Sequence, residues 1–119
     1  MLVDDDAALL NALSFAFETE GYEVRSFADA EALLADPAAP AGSVCLILDQ
    51  RLPGMSGLAL LSALRAQNVG APAILITTHP SAAVRREAAE QGVEIVEKPL
   101  LGADLASKVR TLVERRPRG

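Results

Sequence analysis

The sequence predicts an α/β domain in which helices cover both faces of a parallel sheet. Two hydrophobic periodicities alternate along the chain, one typical of amphipathic helices and one of short strands. Strands that alternate with helices form parallel βαβ units. The chain has 119 residues, 50% of them hydrophobic, which is enough for the core of one compact domain and leaves no room for a second.

Five runs have the composition of strands, and their charges predict their order in the sheet. The runs are residues 1–3, 22–27, 43–48, 72–77 and 93–97. The third and fourth are continuously apolar, as expected for central strands, whereas the second and fifth contain charged residues and therefore suit the edges. Edges at the second and fifth strands fit the doubly wound order 2-1-3-4-5, whose ligand crevice opens at the carboxyl ends of the first and third strands.

Apolar residues at helical spacing predict the helices between these strands. The residues are Leu10, Leu13 and Phe17 for the first helix, Leu61 and Leu64 for the third, Val84 and Ala88 for the fourth, and Leu105, Val109 and Leu112 for the fifth. Asp29 is placed to cap a second helix that extends to about Asp36, where a loop over residues 36–42 ends it. The complete prediction is five strands and five helices.

Composition argues against several classes of protein. The net charge of −5 is unfavourable for a surface that binds nucleic acid, and the arginines at 115, 116 and 118 complement the dipole of a last helical turn. The single cysteine, Cys45, excludes an internal disulfide and suggests a packed thiol in a reducing compartment. No apolar run has the roughly 20 residues of a membrane helix, and no secretory leader is recognisable. A cytoplasmic protein that binds neither membranes nor nucleic acid is expected.

Polar residues follow the predicted strands at one edge of the sheet. They are Asp4, Asp5 and Asp6 after the first strand, Asp49 after the third, Thr77 and Thr78 at the fourth, and Lys98 after the fifth. Converging carboxylates repel one another and must share a proton or bind a cation, and oxygen ligands without Cys or His favour Mg²⁺. Acidic groups with an ammonium and a hydroxyl suit phosphoryl transfer, for which Asp49 is the best placed nucleophile.

Four segments at this edge resemble a known family. They are "VDDD" at 3–6, "LDQRLPGMSG" at 48–57, "LITT" at 75–78 and "EKP" at 97–99. In this order and spacing they resemble the receiver domain of bacterial two-component response regulators, over nearly the whole chain. The resemblance implies the flavodoxin-like fold, with residues 1–116 as the receiver domain and residues 117–119 as a tail or the start of a linker.

The resemblance also implies a metal site. Asp5 and Asp49 would ligate Mg²⁺ directly, and the backbone carbonyl of Arg51 would be a third ligand from the protein. Asp4 would act through water. The side chain of Arg51 has two interpretations: it modulates the lifetime of the phosphoryl group, or it is a plain surface charge.

The same resemblance implies how the phosphoryl group is handled. Asp49 would accept it from a phosphohistidine of a sensor histidine kinase or a histidine phosphotransfer protein. Lys98 would pair with it, and Thr77 would hydrogen-bond to it and begin a conformational switch. The domain would catalyse its own phosphorylation and dephosphorylation and would not otherwise be an enzyme. Ser56 would cap the third helix, and Asp6 is interpreted as a surface or capping acid.

Phosphorylation would change a face formed by the fourth helix, fifth strand and fifth helix, through which a homodimer is possible. We assign to this face Val84, Arg85, Lys108 and Arg110. Two positions depart from the usual pattern of receivers. Ile95 stands where many receivers have a switching aromatic residue, and Thr78 replaces a small residue, so that its branched side chain is expected to narrow access to Asp49.

Other interpretations remain open for the same residues. Asp49 alone is more simply a helix cap or turn former, and His79 is more simply an exposed loop histidine than a group that acts on water. A phosphatase of the haloacid dehalogenase type also forms an aspartyl-phosphate, but its motif requires a second Asp where this chain has Arg51. A pseudo-receiver that serves only as an interaction module would have lost the acidic pair, Asp49 or Lys98.

Overall fold

The sheet contains five parallel strands in the predicted order. The computed structural model describes residues 1–36, 38, 42–98 and 102–115. The strands are β1 (Leu2–Val3), β2 (Ser26–Phe27), β3 (Leu46–Asp49), β4 (Ala73–Thr77) and β5 (Glu94–Glu97). Their order is β2-β1-β3-β4-β5, and every pair of neighbours is parallel. The predicted doubly wound sheet, with its charged strands at the two edges, is confirmed.

Two strands begin three or more residues later than the sequence predicts, and the other three begin one residue later. β2 covers only the last two residues of the 22–27 run, because its partner β1 has two residues, Leu2 and Val3, with which to form the ladder. β3 begins at Leu46 rather than at residue 43, since its pairing with β4 begins at Ala73. Tyr22 and Val24 still pack against the core from outside the ladder. Their apolar character reflects this packing and not strand pairing.

All five predicted helices are present in the described chain. They are α1 (Ala7–Thr19), α2 (Ala30–Leu34), α3 (Gly57–Ala66), α4 (Ala82–Glu90) and α5 (Gly102–Arg115). Asp6, Asp29 and Ser56 are the N-caps of the first three, and each side chain accepts a hydrogen bond from the backbone N–H three residues on. The predicted caps are therefore confirmed. Such caps satisfy N–H groups that have no partner within the helix.

The core consists of two layers, one on each face of the sheet. Alternate residues of β3 and β4 point to opposite layers. Leu48 and Leu75 pack with α3, whereas Ile47 and Ile76 pack with α1 and α5. Because the central strands are buried on both faces, their carboxyl ends are held in fixed positions beside each other. The residues that directly follow those ends are therefore held in place as well.

Cys45 lies in the layer beneath α1 and α5. It is buried, and burial raises the pKa of its thiol to about 11. The thiol is therefore protonated at neutral pH and packs as a small apolar group, as predicted.

Some predictions fall on residues outside the described part of the chain. These are Arg116 and the tail 117–119, most of the centre of the loop 36–42, and Pro99 of the "EKP" segment. Within the described residues, no helix is long and apolar enough to cross a membrane.

Gly57 allows α3 to begin directly against the main chain of β3. A Cβ at this position would collide with the carbonyl oxygen of Asp49 and would lie 2.9 Å from Leu75 Cδ1. Neither neighbour can move easily, since the first is strand backbone and the second belongs to the buried core. Only glycine fits between them.

We therefore expect Gly57→Ala to lower the free energy of unfolding by about 1–3 kcal/mol, as is usual for overpacking. Urea unfolding followed by circular dichroism measures this change. Gly70→Ala is the matched control, because nothing lies within 4 Å of a Cβ at that position. It should change stability by no more than about 0.5 kcal/mol. Equal effects of the two substitutions would contradict the packing assigned to Gly57.

Candidate functional site

Three acidic side chains converge at the carboxyl edge of the sheet. Asp4 and Asp5 follow β1, and Asp49 is the last residue of β3. Carboxylate oxygens of the three lie within 4.8 Å of one another. Asp4 and Asp49 are 1% and 3% exposed, whereas Asp5 is exposed to solvent. The structure thus brings together the acids that the sequence places at this edge.

The strand register explains why Asp4 and Asp49 meet. Val3 pairs with Leu48 in the parallel ladder between β1 and β3. The next residue along each strand is an aspartate. When two neighbouring parallel strands are in register, the side chains of the next residue on each strand lie beside each other. Asp5 then lies one residue further, at the solvent side.

Lys98 closes the site from the other side. Its Nζ donates a hydrogen bond to Asp49 Oδ2 at 3.2 Å and forms an ion pair with Asp4 Oδ2 at the same distance of 3.2 Å. Its backbone N–H donates to the carbonyl of Thr77 at 2.8 Å, which fixes the residue at the end of β5. Burial opposes the ammonium charge, but the two carboxylates outweigh it and raise the pKa of Lys98. Lys98 is therefore charged at neutral pH.

One ammonium does not neutralise two buried carboxylates. The pKa of Asp49 is raised, first by burial and then by repulsion from Asp4, although the Arg51 N–H and Lys98 both favour its ionised form. The Arg51 N–H donates to Asp49 Oδ1 at 3.2 Å. Ionisation of Asp49 is thus less favourable here than in an exposed aspartate, and a further positive charge nearby would favour it.

Asp4 supplies the test of whether a cation fits. Its Oδ1 accepts a hydrogen bond from the Asp6 N–H at 2.9 Å. Its Oδ2 is buried and accepts no hydrogen bond from the described residues, although Lys98 Nζ forms an ion pair with it at 3.2 Å. A buried carboxylate oxygen that accepts no hydrogen bond, beside two further carboxylates, is typical of the donor set of a hard divalent cation. The residues therefore fit a metal such as Mg²⁺.

The remaining predicted residues surround this centre. Thr77 ends β4 and is 3% exposed, one register position beyond Ile76, which pairs with Asp49. Thr78 and His79 are exposed in the loop that follows. The exposed position of His79 agrees with the simpler interpretation of this residue. Its φ of 48° is in the left-handed region, which is uncommon for a residue with a side chain.

Arg51 is the second residue of the loop between β3 and α3. Its side chain is exposed, and its backbone forms an isolated antiparallel bridge with Ser56. This bridge pairs the two ends of the loop with each other beside Asp49. The backbone of Arg51 is consequently held at a defined distance from the acidic cluster.

Two residues of the site were missed by the sequence analysis. Gln50 accepts a hydrogen bond from the Leu58 N–H through its side-chain Oε1, at 3.0 Å, and Gly57 packs on the main chain of Asp49. Gly57 could have been found, because a glycine directly after the helix cap Ser56 indicates a close approach of backbone. Nothing in the sequence indicates which N–H group the Gln50 amide would reach.

A family model described as "Response regulator receiver domain" matches residues 1–110. The chain belongs to this family. It is accordingly a phosphoacceptor domain of two-component signalling, and both the predicted fold and the predicted function of the receiver are confirmed. Membership also decides against the haloacid dehalogenase alternative, and the acidic residues and Lys98 of this receiver are all present and adjacent.

Named relatives agree with this assignment. The receiver is 33% identical over 116 residues to the transcriptional regulatory protein FixJ of Bradyrhizobium diazoefficiens, covering 96% of this chain and 56% of the relative. It is 40% identical over 102 residues to the C4-dicarboxylate transport transcriptional regulatory protein DctR of Rhodobacter capsulatus, covering 82% and 51%. The chain thus spans about half the length of these curated relatives.

Solved structures share the fold. A response regulator receiver domain protein (CheY-like) from Methanospirillum hungatei JF-1 superposes with a TM-score of 0.87 at 29% identity, covering 95% of this chain and 90% of that one. The similarity extends over nearly all of both chains. The two proteins therefore have the same architecture.

The raised pKa of Asp49 leads to a prediction for the metal-free protein. Asp49→Asn removes a buried negative charge but keeps the shape of the side chain, so it should raise the free energy of unfolding at pH 7 by about 1 kcal/mol. The Asp49 carboxyl has a higher pKa in the folded than in the unfolded chain. Its ionisation therefore destabilises the wild-type fold increasingly as the pH rises from the unfolded pKa through the folded pKa. The gain should hence vanish below the ordinary carboxyl pKa of 3.8.

Urea unfolding in EDTA from pH 3 to 8 measures this effect, and Asp5→Asn is the matched control. Asp5 is exposed, so its substitution should change stability little at any pH. A destabilised Asp49→Asn variant at pH 7 would refute the electrostatic account of the site.

Proposed function

We propose that Asp49 is the residue that accepts the phosphoryl group and that Mg²⁺ binds beside it. One observation supports this choice above all others. β3 lies between β1 and β4, so Asp49 has the acids Asp4 and Asp5 on one side and Thr77 and Lys98 on the other. Asp4 and Asp5 lack this central position.

Four residues would hold the metal in this proposal. Asp5 and Asp49 would bind it directly, together with the backbone carbonyl of Arg51, and Asp4 would bind it through water. When bound, Mg²⁺ supplies the positive charge that offsets the repulsion of the carboxylates and the charge of the phosphoryl oxygens. The raised pKa of Asp49 and the buried Oδ2 of Asp4, which accepts no hydrogen bond from the described residues, support this arrangement.

The phosphotransfer step needs little from the protein beyond position and charge. A carboxylate oxygen of Asp49 forms a bond to phosphorus while the P–N bond to the donor imidazole breaks, and the imidazole nitrogen keeps the bonding electron pair. Lys98, already 3.2 Å from Asp49, would pair with the phosphoryl oxygens, and Thr77 would donate a hydrogen bond to one of them. Attack by water at the same phosphorus would reverse the modification, so the domain would catalyse both steps on itself.

The donor in this proposal is a phosphohistidine of a sensor histidine kinase or of a histidine phosphotransfer protein. Response regulators generally interact with histidine kinases, and the chain belongs to that group. We extend the receiver domain to residues 1–116, supported by the family match over 1–110 and by the end of α5 at Arg115, and assign 117–119 to a tail or linker. A cytoplasmic location is consistent with this role.

Phosphorylation of Asp49 is tested with acetyl phosphate as donor and intact-mass spectrometry as readout. The wild-type domain should gain the mass of one phosphoryl group in the presence of Mg²⁺ and should gain none in EDTA. Asp49→Asn should remain unmodified, because an amide oxygen is not a nucleophile for phosphorus under these conditions. Asp49→Asn also removes a proposed metal ligand.

Asp29→Asn is the control for this experiment. Asn caps helices as well as Asp does, so α2 should be unaffected and phosphorylation should proceed as in the wild type. A phosphoryl group on Asp4 or Asp5, located by peptide sequencing after reduction with borohydride, would overturn the assignment to Asp49.

Two of the residues assigned to the predicted output face form ion pairs with β5. Arg85 of α4 pairs with Glu97 of β5 at 2.8 Å, and Lys108 of α5 pairs with Glu94 of the same strand. Arg110 instead pairs with Glu20 of α1 at 3.1 Å, because its side chain points to the opposite flank of α5. We therefore exclude Arg110 from the output face.

Activation should change this face. With beryllofluoride and Mg²⁺, we expect the amide resonances of Val84, Arg85 and Lys108 to shift in NMR spectra, because the altered site is connected to β5 and α4. The Arg110–Glu20 pair serves as an internal control and should shift less, and Asp49→Asn should abolish all the changes. Sedimentation under the same conditions tests a homodimer through this face. Shifts confined to the immediate neighbours of Asp49 would contradict the proposed face.

A further inference from the structure

The first N–H groups of α3 are all satisfied by two residues. The N–H of Gly57 donates to the carbonyl of Gln50 at 3.0 Å, and that of Leu58 donates to the side-chain Oε1 of Gln50 at 3.0 Å. The N–H of Ala59 donates to Ser56 Oγ, also at 3.0 Å. Helix N–H groups at this end have no partner within the helix. Gln50 therefore binds the start of α3 through both its backbone and its side chain.

Gln50 is also fixed to the sheet. Its N–H donates to the carbonyl of Ile76 in β4 at 3.0 Å, and it directly follows Asp49. One residue thus joins the strand that ends in Asp49 to the helix that follows. Its side chain is only half-buried, so it can be replaced without opening the core.

The site needs such a connection because its charges oppose its assembly. Asp4, Asp5 and Asp49 repel one another, and a carboxylate cluster keeps its geometry only if the surrounding hydrogen bonds resist that repulsion. The Arg51–Ser56 bridge and the contact of Gly57 with Asp49 hold the loop locally. Of these contacts, the Gln50–Leu58 hydrogen bond is the one in which a side chain of the first loop residue reaches α3 across the whole loop.

We propose that Gln50 is a positioning residue for the metal site. By holding the N-terminus of α3 on β3, its side chain keeps the Asp49 carboxylate and the Arg51 backbone at the spacing that Mg²⁺ requires. This inference depends on the proposed metal site and adds a residue to it that does not itself touch the metal. Ser56 caps the same helix but is not joined directly to Asp49. A variant of Ser56 therefore tests the loss of a helix cap, whereas a variant of Gln50 tests the loss of the connection to Asp49.

Three variants test the role of Gln50 by titration with Mg²⁺ alone, followed by NMR because the chain has no tryptophan. Gln50→Met keeps the length of the side chain but loses the acceptor, so the Kd for Mg²⁺ should rise by about five- to tenfold. Gln50→Glu keeps an acceptor and should bind within about twofold of the wild type. Ser56→Ala should also bind within about twofold, although it removes a cap from the same helix. Urea unfolding of each variant verifies that the titrated protein is folded.

A second measurement needs no substitution. If the Gln50–Leu58 hydrogen bond and metal binding support each other, saturation with Mg²⁺ must in turn stabilise that hydrogen bond. Hydrogen exchange of the Leu58 amide in the wild-type protein should therefore slow by at least about threefold. Exchange of the Ala59 amide, which binds Ser56, should slow less.

The outcomes separate this inference from the proposed function. If the wild type binds Mg²⁺ but Gln50→Met binds equally well, or Ser56→Ala is weakened to the same extent, Gln50 has no positioning role and the metal site stands. Equal slowing of hydrogen exchange at the Leu58 and Ala59 amides would likewise rule out the positioning role of Gln50 and leave the metal site unaffected. If the wild type binds no Mg²⁺, or Asp49→Asn binds it as tightly, the proposed site is wrong and the role of Gln50 is refuted with it.

Discussion

The unbalanced charge at the carboxyl edge of the sheet governs the chemistry of this domain. Asp4 and Asp49 are buried within reach of one ammonium group, that of Lys98. Burial and mutual repulsion raise the pKa of Asp49, so the site as folded favours any ligand that adds positive charge. In the proposed function, a divalent cation would meet this need, and a phosphoryl group would then have both the cation and Lys98 to balance its oxygens. In this proposal, the affinity for the metal comes from the electrostatic strain that the fold imposes on these carboxylates.

The rest of the fold supplies the rigidity that this strain requires. Leu48 and Leu75 pack against one layer of helices and Ile47 and Ile76 against the other, so the ends of β3 and β4 cannot separate without opening a close-packed core. The pairing of Val3 with Leu48 fixes the position of the acid on β1 relative to Asp49. Hydrophobic burial far from the site thus acts together with the hydrogen bonds around the site to keep like charges close to one another.

The sequence predicts those parts of the site that depend only on strand order. Asp4, Asp49 and Lys98 lie at or directly after the carboxyl ends of strands. The composition of each strand shows whether it is central or at an edge, and the carboxyl ends of parallel strands meet at one edge of the sheet. Strand lengths were less predictable, because β2 can pair only as far as β1 extends. The hydrogen bond of Gln50 and the orientation of Arg110 depend on distances between separate elements. Such distances are set by tertiary packing, which local patterns do not encode.

The position of Ile95 bears on how a change at Asp49 could reach the surface. Ile95 is half-buried and packs against the core, without the aromatic ring that many receivers have there. A different connection is present beside it. Thr77 pairs with Glu97 in the ladder, the Lys98 N–H donates to the Thr77 carbonyl, and Glu97 binds Arg85 of α4. Both members of the Arg85–Glu97 pair are about half exposed, so the pair adds little stability and can break and re-form at low cost. The contacts from Lys98 through Glu97 to Arg85 therefore connect the proposed phosphorylation site to α4 through groups that lie outside the core.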